Sequence, residues 1–363
     1  MKWQYNSNNK YFTNKFKAID EFENSRHSLF LEVPDTYDDF DFSREPKEEL
    51  TILLRDEAIK VREQNDYVRL FYSGGADSQA VLNAFVDNQI VIDEIVCFKS
   101  GFKDADYEID NFAIPYIKSI SNKIVDTKIS ILTPSVKDYE DWYYSDWTSK
   151  YFAHQFTSTV AFFRLIDQPY DFNDGAINIK GKDKPKIVKH KGELYTYFSD
   201  SNSEIEQNIY HFLMENPAII SKQCHLLINA PGDKINFNQN EANKIIHKNI
   251  KDPLPVKEKY YTPAKLKHGN KDMHYVNEKE RLALVQALKD CPAALDRWID
   301  GINSMKSTRF SKWFNQGRPE YGTVGVQSKF FCLTDKKVAT VDELYPDGFT
   351  KENIIAMAKT SAK

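Results

Sequence analysis

The chain has 363 residues, a mass of 42.2 kDa and a formal net charge of −4, from 49 basic and 53 acidic residues. Hydrophobic residues make up 41% and charged residues 28%, which is typical of a globular protein and excludes a disordered or disulfide-rich class. No apolar run approaches the roughly 20 residues that cross a bilayer, and residues 1–10 lack an apolar signal core. We therefore expect no membrane partner and a cytoplasmic location.

The predicted elements begin with a polar, acidic extension over residues 1–49. Residues 50–64 carry apolar side chains at three- and four-residue spacing, which predicts a helix. Residues 67–72 are aromatic and branched, as in a buried strand, and a glycine turn, an apolar helix and a second strand over 90–98 follow them. Strand, turn, helix and strand in this order form the unit of a parallel sheet.

The alternation continues downstream. Residues 106–121 predict a helix that Pro115 must bend or split, and residues 127–132 predict a third strand. An aromatic-rich helix over 139–163 and a fourth strand over 176–179 come next. Residues 50–200 therefore predict an α/β domain with a parallel five-stranded sheet and flanking helices.

The pattern is weaker in the rest of the chain. Residues 186–198 predict a hairpin that turns at Lys191 and Gly192, and residues 205–214 predict a helix that stops near Pro217. Further helices are predicted over 277–288 and 293–305. The stretch 201–363 is thus expected to be a mostly helical C-terminal region that completes the substrate site.

The hexapeptide Ser73-Gly74-Gly75-Ala76-Asp77-Ser78 follows the first strand of the predicted domain. Its two glycines permit backbone conformations that bring N–H groups close to an anion, and the helix after it presents its positive end to the same point. The two serines add hydroxyl donors, whereas Asp77 is suited to holding Mg²⁺ or orienting the loop. These features predict a pyrophosphate-binding loop.

This hexapeptide resembles the SGGxDS signature of the PP-loop ATP pyrophosphatases, which are adenine nucleotide alpha-hydrolase-like proteins. The order of elements over residues 50–200 is similar to the synthetase domain of asparagine synthetase. The resemblance implies a HUP-like fold, ATP and Mg²⁺ as cofactors, and formation of an AMP adduct with release of pyrophosphate (PPi).

The resemblance also implies further site residues at the ends of neighbouring strands. The adenine is expected to contact the backbone of Cys97, Phe98 and Lys99. The fourth-strand loop matches the family at Gly181 and Asp183, so Asp183 joins Asp77 as a predicted metal ligand. The lysines of this loop depart from the family pattern.

Lysines are concentrated after the predicted fourth strand, with six of them between residues 180 and 191. At the same sheet edge as the glycine loop, a lysine would stabilise charge on the transferring phosphoryl groups. Lys182 and Lys184, together with Asp77, are therefore the predicted catalytic residues. A solvated lysine face is the alternative interpretation.

The predicted function is that of an AMP-forming ligase or amidotransferase on a small-molecule, peptide or nucleotide substrate. Glutamine-dependent members begin Met-Cys, whereas this chain begins Met1-Lys2, so we expect no glutaminase route and a nitrogen nucleophile from another source. One alternative is a base-modifying enzyme on tRNA or DNA, supported only by the eight lysines and by Tyr260 and Tyr261 over residues 244–271, which an exposed basic connector also explains. Sulfur-inserting members carry a reactive cysteine, but Cys97 ends an apolar strand and has no paired cysteine, so a sulfur-carrier role is disfavoured for it. A second alternative is a non-catalytic nucleotide-binding protein.

Overall fold

A computed structural model describes most of the chain's first two thirds and a segment near its end. The described residues are 3–13, 29–99, 109–133, 174–181, 185–200, 209–230 and 326–344, together with residues 18, 21 and 246. The helices predicted over 139–163, 277–288 and 293–305 lie outside these residues, so the helical C-terminal region stays a prediction, as do the boundaries at 49 and 200.

The described elements are short strands and helices. In chain order the strands are β1 (Gln4–Ser7), β2 (Lys10–Phe12), β3 (Leu29–Glu32), β4 (Val68–Phe71), β5 (Glu94–Phe98), β6 (Lys128–Leu132), β7 (Ile177–Lys180), β8 (Lys186–His190), β9 (Glu193–Tyr197), β10 (Ser199–Asp200), β11 (Ile209–His211), β12 (Val326–Gln327), β13 (Phe330–Cys332) and β14 (Val338–Ala339). The α-helices are α1 (Leu50–Gln64), α2 (Ala76–Val86), α3 (Ile114–Ser119), α4 (Pro217–Ile228) and α5 (Val341–Leu344). Among the described helices, none has the length and apolar character that crossing a membrane requires.

The chain divides into two compact units, each built from separate stretches of sequence. The first comprises Met1–Lys60, Gly181–Pro253 and Val324–Lys363, and the second comprises Val61–Lys180 and Leu254–Thr323.

The first unit has an aromatic core under two antiparallel sheets, ordered β2-β1-β3 and β14-β13-β9-β8. The ring of Tyr37 is fully buried and lies 5.4 Å from that of Phe198 and 5.7 Å from that of Phe331. Its hydroxyl donates to the Met214 carbonyl at 2.5 Å. The first 49 residues, predicted as a polar extension, therefore contain the three-stranded sheet and part of this core.

The second unit contains a parallel arrangement around β4. All four residues of β4 are buried, and the strand pairs in parallel with β5 on one side and β7 on the other. The strand β5 pairs in parallel with β6, so the strands within this unit lie in the order β7-β4-β5-β6. The predicted α/β class with a parallel sheet is confirmed.

Local sequence signals account for most of the elements. The helix α1 has the predicted bounds, and α2 connects β4 to β5 with nine of its residues buried, as a helix covering a sheet requires. The predicted hairpin is present as β8 and β9, with Lys191 at a φ of 48° and Gly192 at 89°, a pair of left-handed residues suited to a two-residue turn.

Pro115 splits its predicted helix as expected. A π-helical turn spans Ile109–Ala113, and α3 begins directly after it with the proline in its first turn. A proline is tolerated there because the first N–H groups of an α-helix have no intrahelical acceptor.

The helix predicted over residues 205–214 is wrong in the part that the structure describes. Residues 209–211 form the strand β11, and Pro217 starts the helix α4 instead of stopping one. Asn216 caps that helix, its Oδ1 accepting from the Ala218 N–H at 2.9 Å, and proline is favoured at the following position.

Polar side chains form a buried network near the amino ends of the parallel strands. The Arg69 guanidinium on β4 donates to Glu94 Oε2 at 2.8 Å, to Asn178 Oδ1 at 3.0 Å and to Asp174 Oδ2 at 2.7 Å. Glu94 is fully buried and also accepts from Ser130 Oγ at 2.5 Å. The network therefore crosses β7, β4, β5 and β6.

Replacing Arg69 by methionine is expected to destabilise the second unit by up to about 3–5 kcal/mol, because the buried charge of Glu94 would be left with only the exposed Lys128 ammonium, 3.0 Å away, as its ion-pair partner. The measurement is the guanidinium-chloride midpoint of unfolding. Lys123→Met is the control, since Lys123 is 54% exposed and its ion pair with Asp87 is 3.7 Å long. Equal midpoints for the two variants would show that the network contributes little.

Candidate functional site

The segment Ser73–Ser78 connects the carboxyl end of β4 to the first turn of α2. Gly74 has a φ of +71°, and Gly75 is the N-cap of α2 in an extended conformation. A glycine N-cap has no side chain to bond the first N–H groups of the helix. This end of α2 is therefore suited to an anion, which such N–H groups and the helix dipole attract.

The two serines of this phosphate loop, as we call residues 73–78, hold it in a compact form. The Ser73 Oγ accepts from the Gly75 N–H at 3.3 Å, and the Ser78 Oγ donates to the Gly75 carbonyl at 3.0 Å. The two hydroxyl oxygens are 3.2 Å apart. Both hydroxyls therefore lie at the turn itself, with Ser73 exposed and Ser78 buried.

The phosphate loop follows β4, and the strands that come after β4 in the sequence are added first on one side of it and then on the other. After β4 the chain adds β5 and β6 on one side and then returns to add β7 on the other. In open α/β sheets, ligands bind outside the carboxyl ends of the strands at such a switch point. The topology and the hexapeptide therefore indicate the same position for a bound ligand.

The residues predicted to contact adenine lie beside the loop on the adjacent strand. Cys97 and Phe98 end β5, and the Lys99 N–H donates to the Leu132 carbonyl at 2.7 Å. The Lys99 ammonium pairs with Asp110 of the π-helical turn at 2.9 Å. The backbone of this strand end is therefore held on the far side by β6.

The predicted residues after β7 are only partly described. Gly181 directly follows β7, whereas Lys182, Asp183 and Lys184 lie outside the described residues, so their predicted roles stay predictions. The same holds for the lysines and tyrosines over residues 244–271 that carry the nucleic-acid alternative.

Asp77 lies in the first turn of α2 and is half-buried. Across the part of the chain that the structure describes, no three His, Cys, Asp or Glu side chains group as a metal site. Mg²⁺ in nucleotide sites is typically held by one or two carboxylates and by phosphate oxygens. Asp77 fits that pattern as the described member of the predicted pair.

Lys180, the last residue of β7, is not among the site residues predicted from the sequence. It is 8% exposed and pairs in register with Phe71 at the end of β4, two residues before the phosphate loop. From the run of lysines in the sequence, Lys182 and Lys184 were the two predicted to be catalytic. The informative signal was that Lys180 continues the strand directly after Ile179.

Gly74 lies against the π-helical turn. A Cβ added at this glycine would lie 3.2 Å from both the Cβ and the backbone nitrogen of Ala113. Gly74 is thus required by its positive φ and by the close approach of another backbone.

Cys97 is fully buried, and burial raises the pKa of its thiol to about 12. A sulfur carrier needs an accessible thiolate. The structure therefore favours a packing role for this side chain and leaves only its backbone for the predicted adenine contact.

Three comparisons, with protein-family models, curated proteins and solved structures, return no match for this chain. The loop and its position in the sheet are therefore the features that indicate a function.

Gly74→Ala is expected to lower the melting temperature more than Gly175→Ala does. Gly175 has a similar positive φ of +83° with nothing within 4 Å of an added Cβ, so it measures the backbone strain alone, about 1 kcal/mol. The additional loss at Gly74 reports the contact with Ala113. Equal losses would mean that the helical turn gives way without cost.

The buried thiols are expected to resist alkylation in the native protein. With pKa values near 12, only about one Cys97 or Cys224 thiol in ten thousand is ionised at pH 8. Iodoacetamide labelling read by peptide mass spectrometry should modify both after unfolding in guanidinium and neither before it. Native labelling of Cys97 would revive the sulfur-carrier alternative.

Proposed function

We propose that this chain is an ATP pyrophosphatase-type adenylating enzyme, similar to the synthetase domain of asparagine synthetase, that uses Mg²⁺·ATP. The supporting observation is a glycine-capped helix N-terminus at the switch point of a parallel sheet. In that position the phosphate loop provides N–H groups and the exposed Ser73 hydroxyl for the two outer phosphoryl groups of ATP, and Ser78 holds the turn in shape.

In the proposed reaction, a substrate oxygen attacks the α-phosphorus of ATP. An O–P bond forms as the bond from the α-phosphorus to the bridging oxygen breaks, and PPi leaves with that electron pair. The phosphate loop stabilises the charge that develops on PPi through the first-turn N–H groups of α2 and the exposed hydroxyl of Ser73, while Ser78 holds the turn through the Gly75 carbonyl. A nitrogen nucleophile then displaces AMP from the activated substrate.

The remaining groups act by positioning. The backbone at the end of β5 is proposed to hold the adenine on one side of the loop, and the strand end at Lys180 contributes positive charge on the other. Mg²⁺ held near Asp77 would neutralise phosphate charge. The chain's contribution is alignment of the α-phosphorus with the incoming oxygen together with electrostatic stabilisation.

Asp77→Asn is expected to weaken Mg²⁺·ATP binding at least about tenfold, because the amide is a weaker Mg²⁺ ligand than the carboxylate. Isothermal titration calorimetry of purified protein measures this dissociation constant. In EDTA the same variant should bind ATP at least as tightly as the original chain, since a carboxylate repels phosphate.

The control is Asp87→Asn, at the other end of the same helix. Asp87 is the C-cap residue of α2 and its side chain is 50% exposed, so its replacement should leave both dissociation constants unchanged. If Asp77→Asn binds Mg²⁺·ATP like Asp87→Asn, the metal role of Asp77 is wrong. If the original chain binds no ATP at all, the proposed function is wrong.

Turnover separates an enzyme from a non-catalytic nucleotide-binding protein. The chain is incubated with Mg²⁺·ATP and fractions of a small-molecule extract, and released PPi is assayed. Release in one fraction that is lost in Ser73→Ala supports the enzyme, whereas ATP binding without PPi release in any fraction supports the non-catalytic alternative.

A further inference from the structure

The two residues that flank the phosphate loop touch each other through their side chains. Tyr72 directly precedes the loop and Gln79 directly follows it, and the Tyr72 hydroxyl donates to Gln79 Oε1. Both side chains are buried, and burial raises the pKa of Tyr72 far above its usual value, so its hydroxyl stays a donor. The base of the loop is therefore closed by a hydrogen bond that is independent of the loop's own serines.

Two further residues orient that hydrogen bond. The Gln79 Nε2 donates to Asn83 Oδ1 at 2.7 Å, and the Tyr116 hydroxyl donates to the same oxygen at 3.1 Å. Asn83 lies one helical turn after Gln79 on α2, whereas Tyr116 belongs to α3. With its amide nitrogen committed to Asn83, Gln79 presents its carbonyl oxygen to Tyr72.

The segment that carries Tyr116 reaches the phosphate loop a second time. Ala113, three residues earlier, is the neighbour that a Cβ on Gly74 would meet at 3.2 Å. The rings of Tyr72 and Tyr116 are also 6.4 Å apart. Residues 109–119 thus contact the loop at its glycine and at the hydrogen bond across its base.

We propose that Tyr116 is a positioning residue for the phosphate loop, acting through Asn83 and Gln79 on the hydrogen bond that closes the loop's base. This inference rests on the proposed function, since it assigns Tyr116 to the site that holds the outer phosphoryl groups of ATP. Tyr116 itself need not touch the nucleotide.

A loop-positioning role has a consequence that a purely structural role lacks. ATP places its outer phosphoryl groups in the loop, whereas AMP has none to place there. Loosening the loop should therefore weaken ATP binding and leave AMP binding unchanged, so that the ratio of the AMP and ATP dissociation constants falls. A general loss of stability would weaken the binding of both nucleotides.

The test is the dissociation constant of Mg²⁺·ATP and of AMP for Tyr116→Phe, by isothermal titration calorimetry at a temperature well below melting. Loss of one hydrogen bond in the network is expected to raise the ATP constant about threefold to tenfold. The AMP constant should stay within the error of the original chain. The aromatic ring is retained, so the contact between the rings of Tyr72 and Tyr116 persists.

Tyr67→Phe is the matched control. The Tyr67 hydroxyl donates to Glu94 Oε2 at 3.4 Å near the opposite, amino end of the strands, so its loss should leave the ratio unchanged. Asn83→Ala, which removes the acceptor shared by Gln79 and Tyr116, should lower the ratio further than Tyr116→Phe does.

The outcomes are distinguishable. A ratio for Tyr116→Phe that equals those of Tyr67→Phe and the original chain, with ATP bound, overturns the positioning role and leaves the proposed function standing. An equal fall in affinity for ATP and AMP also overturns it, in favour of a structural role. An original chain that binds ATP no more tightly than AMP overturns the proposed function itself.

Discussion

The candidate site depends on the parallel pairing of β4 between β5 and β7. This pairing brings the ends of three strands, which are far apart in the sequence, to one edge of the sheet. The burial of β4 on both faces makes the arrangement stable, because each of its four residues is removed from water. The described residues that we discuss for nucleotide binding lie at the ends of these strands or in the loop and helix that follow β4.

The phosphate loop is shaped by contacts on two sides. Its serines fold the turn from within, and the helical turn Ile109–Ala113 supports it from outside, at Gly74. The π-helical turn ends where α3 begins. Within seven residues the chain therefore accommodates both Pro115, in the first turn of α3, and the close approach of Ala113 to Gly74. π-Helical turns are uncommon and are frequent near functional sites. Here the turn packs against the loop at Gly74.

Local signals predicted the elements whose determinants lie within a few residues. The spacing of apolar residues predicted α1, and the strand, glycine turn and helix around Ser73–Ser78 were each visible as composition. The strand at residues 209–211 was missed because its apolar residues also fit a helical period, and sheet pairing decided between the two. Asn216 before Pro217 was the available signal for the start of α4.

Local sequence patterns could not predict the contacts of the site that join residues far apart in the sequence. Tyr116 and Asn83 are separated by 33 positions, and nothing in the sequence of either segment indicates that one oxygen of Asn83 accepts from two donors. The buried core around Tyr37 was hidden for a similar reason. Its aromatic residues are scattered among acidic ones, so the average composition of the segment predicted a solvated surface.

The charged network around Arg69 also fixes the register of the strands, and so their alignment at the opposite edge of the sheet. For strands of four or five residues, a change of register costs little free energy unless particular side chains make the wrong alignment unfavourable. A slip of one position would turn Arg69 away from Glu94 and Asn178 and leave charges stranded in the interior. Because the strands are so short, correct alignment at one end dictates it at the other. The alignment of the strand ends at the carboxyl edge is thereby set by side chains at the amino edge.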